Sequence, residues 1–416
     1  MIEITETILP NNLECIFFKD NSNPIINITL GYKVGSRHED IDKKGVAHLF
    51  EHLMFQGSQN VKKSGHFEKI QQAGGSCNAF TNQDITVYHE TVPSNHLQTV
   101  LWLESDRMLS LDLNEDNLKN QKDVVIEEKK SRYDNSPYGT SHINIFREMF
   151  RDSPYEITTI GREEDVLSFQ REEAEAFHSK FYSPSNAILV ISGDFKDGEA
   201  DIYARKYFGD ITKSNASVEI SNKNYTLSLP DEKRITVEDN IQLPAIFICY
   251  SIPPSGSREE YTLDYLSGII ANNKSSRLHK KLVYDKKLVN SLSAVKYQMQ
   301  EAGVYIFAAF SNIGADLDEI EKDIIEEINS IANSGIKDIE YEKIRNEIDY
   351  YYNVKHMTLS NVSLDLLFSK IYYGDAGFIN FKIKNYLSVT PAEIQHSCRE
   401  FFSSKPKLVL TYLPKK

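Results

Sequence analysis

Apolar and polar positions along the first half of the chain follow two different periods. Two-residue alternation and short apolar runs predict four strands, at 25–30, 76–81, 85–92 and 187–191. Apolar residues at helical spacing predict helices at 45–56, 95–111 and 115–133. The short turn between 81 and 85 indicates that the second and third strands form a hairpin.

Two pairs of segments repeat at nearly the same distance along the chain. Phe181-Tyr182-Ser183 matches Phe401-Phe402-Ser403, and Gly35-Ser36-Arg37 matches Gly256-Ser257-Arg258, at offsets that differ by a single position. Two independent matches favour duplication of one mixed α/β unit, and chance similarity of amphipathic segments is the alternative. The stretch at about 210–230 is polar. We therefore predict two homologous domains, 1–212 and 225–416, joined by a linker at 213–224.

Composition excludes several classes of protein. The 416 residues are 40% hydrophobic and 26% charged, which is ordinary for globular domains, and the net charge of −13 argues against nucleic-acid binding. No apolar run is long enough to predict a membrane span. The N-terminus lacks the pattern of a signal peptide, which predicts a cytoplasmic protein or a trimmed periplasmic form. The four cysteines are widely spaced and predict buried free thiols.

The segment Gly45–Leu53 contains the pattern H-x-x-E-H. On a helix, His48 and His52 leave the same face one turn apart, so that both imidazoles can bind one zinc ion. Glu51 lies beside His52 and can reach a metal-bound water without being a ligand. With 11 histidines and 60 acidic residues, a shuffled chain would contain His-x-x-acid-His only about 0.04 times. A solvated helix face with a local Glu–His pair is the alternative.

Two histidines need a third ligand, and the helix at 115–133 offers two glutamates. Val124 and Val125 are expected to point inward, and Glu128 shares the face of Val124. A carboxylate that faces the core requires a cation, and zinc would supply it. We therefore expect Glu128 to be the ligand and Glu127 to face water, with Glu127 as the alternative.

With these motifs the chain resembles the pitrilysin or insulinase family of zinc metallopeptidases, the inverzincins. Within that family it is similar to the half-length branch of bacterial zinc proteases and the mitochondrial processing peptidase. The resemblance covers nearly the whole chain and is strongest between Gly31 and Tyr138. It rests on the segments GVAHLFEHLMFQGS, GGSCNAFTNQDITVYHE, LWLESDRM and VVIEEKKSRYDNSPYG.

The resemblance implies an α+β fold of two related domains, each an antiparallel sheet with helices packed against it. It implies one zinc ion per chain on His48, His52 and Glu128, with Glu51 as the catalytic glutamate. The strand around Asn78-Ala79-Phe80 resembles the family's substrate-binding edge strand, and an ordinary hairpin strand is the alternative.

The second half of the chain does not repeat the metal motif. The distance along the chain from Gly35 to Gly256, applied to His48, Glu51 and His52, leads to Ile269, Asn272 and Asn273. None of these three residues is a histidine or an acid. The second domain is therefore expected to be non-catalytic, and the resemblance implies that it helps to enclose the substrate.

The chain departs from the family at two positions. Gln121 stands where the family often carries a second glutamate that assists catalysis, and an amide cannot serve as a base. Tyr305 matches the tyrosine of an Arg/Tyr pair that holds the substrate, but no arginine lies between Leu288 and Asn312. A partner chain that supplies substrate contacts would account for the missing arginine.

The prediction is a zinc metalloendopeptidase that hydrolyses peptides or short unfolded polypeptides. A metal-activated water attacks the peptide, and Glu51 is the general base. The chain is expected to act as a homodimer or as the catalytic subunit of a heterodimer with a related chain that lacks the zinc motif. A non-catalytic assembly subunit of the same fold and a hydrolase of a non-peptide substrate are the remaining alternatives.

Overall fold

The computed structural model describes residues 2–40, 42–212 and 227–415 of the chain. The described residues divide into two compact units. Unit 1 comprises Met1–Lys130, Ile157–Lys223 and Asn353–Phe381, and unit 2 comprises Ser131–Glu156, Asn224–Tyr352 and Lys382–Lys416. The units are therefore not contiguous in sequence. The division into 1–212 and 225–416 stays a prediction, and the predicted linker at 213–224 lies outside the described residues.

Each unit is built on one mostly antiparallel sheet. The strands of the sheet in unit 1 are β1 (Thr5–Ile8), β2 (Glu14–Lys19), β3 (Ile25–Tyr32), β4 (Ser76–Thr81), β5 (Thr86–Pro93) and β6 (Ala187–Gly193). Those of unit 2 are β7 (Lys233–Asp239), β8 (Ala245–Ile252), β9 (Val289–Gln298), β10 (Gly303–Ser311) and β11 (Leu408–Pro414). The first sheet has the order β1-β2-β6-β3-β5-β4, and the second has the order β7-β11-β8-β10-β9.

Helices connect the strands and cover the sheets. In chain order they are α1 (Val46–Leu53), α2 (Gly65–Gln72), α3 (Leu97–Leu109), α4 (Glu115–Lys129), α5 (Ser141–Met149), α6 (Glu163–Ser168), α7 (Arg171–Phe181), α8 (Glu199–Phe208), α9 (Glu259–Ile270), α10 (Leu317–Ser334), α11 (Asp338–Lys355), α12 (Leu359–Tyr373), α13 (Ile379–Leu387) and α14 (Pro391–Phe401). Among the described helices, none combines the length and the apolar composition that a membrane crossing requires. Because the strands form mostly antiparallel sheets and helices pack against them, the fold is α+β, as predicted.

The two sheets share one topology. Removing β1 leaves β2-β6-β3-β5-β4, and the second sheet repeats that order strand for strand as β7-β11-β8-β10-β9. The pairing directions also agree, because β2 is parallel to β6 and β7 is parallel to β11, while the other pairs are antiparallel. The repeated topology supports the duplication that the sequence predicted.

Each sheet is covered on one face by a helix that comes from the other half of the chain. In unit 1, Leu366 and Leu367 of α12 pack against strand residues such as Val87 and Val190. In unit 2, α5 packs its apolar residues against β8, β10 and β11. No pattern along the chain indicates this exchange, and it explains why the compact units are not contiguous.

Candidate metal centre

Helix α1 is fixed at its N-terminus by a buried carboxylate. Glu39 accepts hydrogen bonds from the backbone N–H of Gly45 at 3.0 Å and of Ala47 at 2.7 Å, which satisfies two donors of the first turn. Burial raises the pKa of Glu39 to about 7, although Lys44 and the two N–H groups lower it. Gly45 adopts φ +97°, and a Cβ there would lie 2.9 Å from the carbonyl oxygen of Ile160. The start of α1, and hence the direction of its histidines, is therefore closely determined.

Three side chains converge beside α1 in unit 1. His48 and His52 lie one turn apart with ring centroids 4.9 Å from each other. Glu128 Oε2 lies 3.4 Å from His52 Nε2 and 3.9 Å from His48 Nε2. Zinc–ligand bonds of about 2.0–2.1 Å at tetrahedral angles place neighbouring ligand atoms about 3.4 Å apart. Two imidazoles and one carboxylate at these distances fit a zinc ion, and three protein ligands are typical of catalytic sites.

Helix α4 presents Glu128 to the histidines and Glu127 to solvent. The side chain of Glu128 is 16% exposed, whereas that of Glu127 is 73% exposed and forms an ion pair with Lys130 at 3.0 Å. The expectation that Val124 points inward is wrong, because Val124 is 41% exposed and only Val125 of the two valines is buried. Gln121 is buried two turns before Glu128 on the same helix, and its part in catalysis stays a prediction.

Glu51 connects α1 to the end of strand β4. The hydroxyl of Thr81 donates to Glu51 Oε2 at 2.6 Å. Strand β4 is the last strand of its sheet and pairs with β5 along one side. Asn78 is exposed, and Ala79 and Phe80 are partly buried. The N–H of Ala79 donates to the side chain of Asn78 at 2.9 Å, so this N–H lies outside the β4–β5 ladder. The substrate-binding role of these three residues stays a prediction.

Tyr305 occupies a core position in unit 2. It lies in β10, is fully buried, and shares a hydrogen bond of 2.8 Å with the hydroxyl of Ser267. This environment is that of a core tyrosine and gives no support to a role in holding substrate, which stays a prediction.

A second group of ionisable side chains lies in the interior of unit 1. His66 Nε2 is 3.3 Å from Glu90 and 3.8 Å from Glu104, and the guanidinium of Arg107 contacts both glutamates. All four residues are buried. The donor atoms of His66, Glu90 and Glu104 have a spacing that could hold a metal, but Arg107 already supplies the cation. Burial lowers the pKa of His66 to about 3, and burial raises the pKa of Glu104 to about 8 against the lowering effect of Arg107. No motif in the sequence indicates that these four residues lie together.

The second copy has a different arrangement at the position that corresponds to Glu51. Asn272, which the sequence offset alone places opposite Glu51 and which follows the end of α9, accepts a hydrogen bond from the N–H of Ala294 and donates one to its carbonyl, both at 2.7 Å. Ala294 lies in β9, the counterpart of β4 at the edge of the second sheet. A side-chain amide thus takes the two backbone groups through which an added strand would pair. Among the described residues, the groups with metal-binding spacing both lie in unit 1.

The sheets of the two units repeat one topology, and in unit 1 the H-x-x-E-H helix lies beside the carboxylate of Glu128. A sequence model described as "Insulinase (Peptidase family M16)" matches residues 16–163, and one described as "Peptidase M16 inactive domain" matches residues 168–348. The chain belongs to the M16 (insulinase) family of peptidases.

Within this family the chain is similar to two curated proteins and to a solved structure. Zinc protease PqqE of Helicobacter pylori is 30% identical over 341 residues, which are 81% of this chain and 76% of that protein. The mitochondrial-processing peptidase subunit beta of Saccharomyces cerevisiae is 23% identical over 357 residues, 82% of this chain and 76% of the relative. The crystal structure of a protease from Helicobacter pylori covers all of both chains with 25% identity and a TM-score of 0.92.

Proposed function

We propose that this chain is a zinc-dependent metalloendopeptidase that hydrolyses peptides or short unfolded polypeptides. The observation that carries the proposal is the convergence of His48, His52 and Glu128 within 4.8 Å of one another, with Glu51 on the same helix. The names of its relatives as zinc proteases support the same activity.

The three ligands and Glu51 divide the chemical work. Zinc held by His48, His52 and Glu128 would supply Lewis acidity, which lowers the pKa of a water and polarises a carbonyl. Glu51 takes a proton from the attacking water as general base and returns it to the leaving amine. Its carboxylate is not among the three groups with metal-binding spacing, and its Oε2 accepts a hydrogen bond from Thr81. Unit 2 has no part in proton transfer under this proposal.

The peptide is bound as an added strand at β4. Main-chain hydrogen bonds to an edge strand tolerate many side chains, which suits an enzyme that acts on varied peptides. Ala79 presents its N–H away from the β4–β5 ladder, so a substrate carbonyl can replace the side chain of Asn78 as its partner. Asn78 and Phe80 flank this position.

Cleavage of a mixed peptide library, with chelation and zinc re-addition, tests the activity. We expect the chelator to abolish hydrolysis and zinc to restore it. Glu51→Gln is expected to keep one zinc per chain and to lose about 100-fold or more in kcat, because only the base is removed. His48→Ala and His52→Ala are expected to lose the metal itself, as measured by zinc analysis. Hydrolysis by Glu51→Gln at the wild-type rate would contradict the assignment.

A heterodimer is the second candidate, and one comparison favours it. A similar relative is named as a subunit of the mitochondrial-processing peptidase, and no arginine lies between Leu288 and Asn312, where a substrate-holding arginine was expected. Under this proposal the lone chain binds zinc but cleaves peptides only after a related chain without the zinc motif is added. Light scattering on the purified chain, together with the library assay, separates the heterodimer from a self-sufficient homodimer.

A further inference from the structure

Glu51 is tethered to the strand that lies beside it. The distance of 2.6 Å between Thr81 Oγ1 and Glu51 Oε2 falls in the range of charge-assisted hydrogen bonds between a hydroxyl and a carboxylate. Thr81 is the last residue of β4, and Glu51 lies in the final turn of α1. The bond therefore joins two elements that carry different parts of the proposed site.

The dipole of α1 does not stabilise this carboxylate. The C-terminal end of a helix carries partial negative charge, so the macrodipole gives an anion in the last turn of α1 no stabilisation. A glutamate side chain also has several freely rotating bonds, and a general base must remain within hydrogen-bond reach of the proton that it takes. Thr81 supplies such a contact from outside α1, because its hydroxyl donates to Glu51 Oε2.

The surroundings of Thr81 restrict the orientation of its hydroxyl group. Its backbone pairs with Thr86 across the β4–β5 hairpin, and the two hydroxyl oxygens lie 3.4 Å apart. The Thr86 hydroxyl donates to the carbonyl of Val34 at 2.9 Å. The proton of Thr81 is thus directed to the nearer acceptor, Glu51, and the stiff χ1 of a β-branched residue limits other orientations.

We propose that Thr81 is a positioning residue that aligns Glu51 with a peptide bound along β4. The inference rests on the proposed peptidase function, and it adds a residue to which no role has been given. Thr81 follows Ala79 by two positions, so both residues point to the same face of β4. Pairing of a peptide with β4 would then place its scissile bond in fixed register with the carboxylate that Thr81 holds.

The test compares Thr81→Val with Thr81→Ser in zinc-loaded protein. Valine keeps the branched shape and removes the hydroxyl, whereas serine keeps the hydroxyl. We expect Thr81→Val to lower kcat about 10- to 100-fold, with KM within about threefold and with zinc content and thermal midpoint unchanged. Thr81→Ser should recover kcat to within about threefold of wild type. Thr236→Val, at an exposed strand position in unit 2, is the matched control and should behave as wild type.

Crystal structures of the metal-free proteins supply a readout that does not depend on activity. The Glu51 side chain should occupy one position in wild type and in Thr81→Ser, and more than one position in Thr81→Val. An unchanged kcat with raised KM in Thr81→Val would overturn the inference, as would equal losses in both variants together with a lowered thermal midpoint. If the wild-type chain cleaves no peptide, the proposed peptidase function fails. The role of Thr81 is tested separately by the crystal structures, because a Glu51 side chain that keeps its single position in Thr81→Val overturns the inference whatever the activity.

Discussion

Glu104→Gln is expected to change how the stability of unit 1 depends on pH. Glu104 and Glu90 are both fully buried beside one guanidinium, that of Arg107, so the pair has two carboxyls for one cation. Burial raises the pKa of Glu104 to about 8 and raises that of Glu90 as well. At neutral pH the folded protein therefore keeps a proton on the pair that the unfolded chain releases.

The direction and the magnitude of this pH dependence of the free energy of unfolding follow from the linkage between proton binding and folding. Between the ordinary pKa of 4.5 and about 8, Glu104 binds more protons in the folded state than in the unfolded state, so its contribution to stability falls as pH rises. His66, whose pKa is lowered by burial, contributes a slope of the opposite sign in both proteins, so the comparison of wild type with the variant isolates Glu104. One proton changes the free energy of unfolding by about 1.4 kcal/mol per pH unit, which gives a loss of about 3 kcal/mol between pH 5 and pH 7. Glutamine does not titrate, so the variant should lack most of this slope. The free energy of unfolding of the variant should also be lower by an amount that does not depend on pH, because glutamine forms weaker bonds to Arg107 than glutamate does.

Urea unfolding followed by tryptophan fluorescence measures this dependence. The chain contains one tryptophan, Trp102, which lies in α3 two residues before Glu104 and therefore reports on unit 1. Metal-free protein is used at pH 5.5, 6.5 and 7.5, so that zinc release does not contribute. Glu127→Gln, at an exposed position, is the control and should keep the wild-type slope. Parallel slopes in wild type and Glu104→Gln would refute the reasoning.

Three further predictions concern the metal, the edge strand and the core. Glu128→Gln should weaken zinc binding more than about 100-fold and Glu127→Gln should leave it unchanged, as titration calorimetry would measure; the reverse result would make Glu127 the ligand. Ala79→Pro should raise KM about 2- to 10-fold with kcat retained, because proline removes the outward N–H, and unchanged kinetics would reject strand addition at β4. Leu366→Ala should destabilise unit 1 by about 3–5 kcal/mol, whereas Leu167→Ala, which is half exposed, should cost less than about 1 kcal/mol; equal urea midpoints would contradict the packing of α12.

The sequence was most informative where geometry is local. A helix places i and i+4 side chains together whatever surrounds it, so the spacing of His48 and His52 was enough to predict their convergence. Glu128 was chosen over Glu127 from the face of α4 that was expected to be buried. Glu128 does lie beside His48 and His52, although Val124, which was expected to share its buried face, is exposed.

Contacts between distant segments could not be predicted in this way. The bond from Thr81 to Glu51 depends on how β4 lies beside α1, and no periodicity encodes it. The buried charges of α3 were also missed, because Glu104 and Arg107 on an amphipathic helix are more typical of a solvent-facing side. The exchange of α5 and α12 was missed because the apolar face of either helix is chemically suited to either sheet.

That exchange has a consequence for the order in which the protein can be made. Strands β1 to β6 are complete at Gly193, but α12, which covers one face of their sheet, ends at Tyr373. The apolar face of the first sheet therefore stays uncovered while strands β7 to β10 and the helices between them are synthesised. The candidate metal centre belongs to a unit that is completed only after α12 has been synthesised. A gene cut between the two halves would yield fragments that must find each other before either can fold completely.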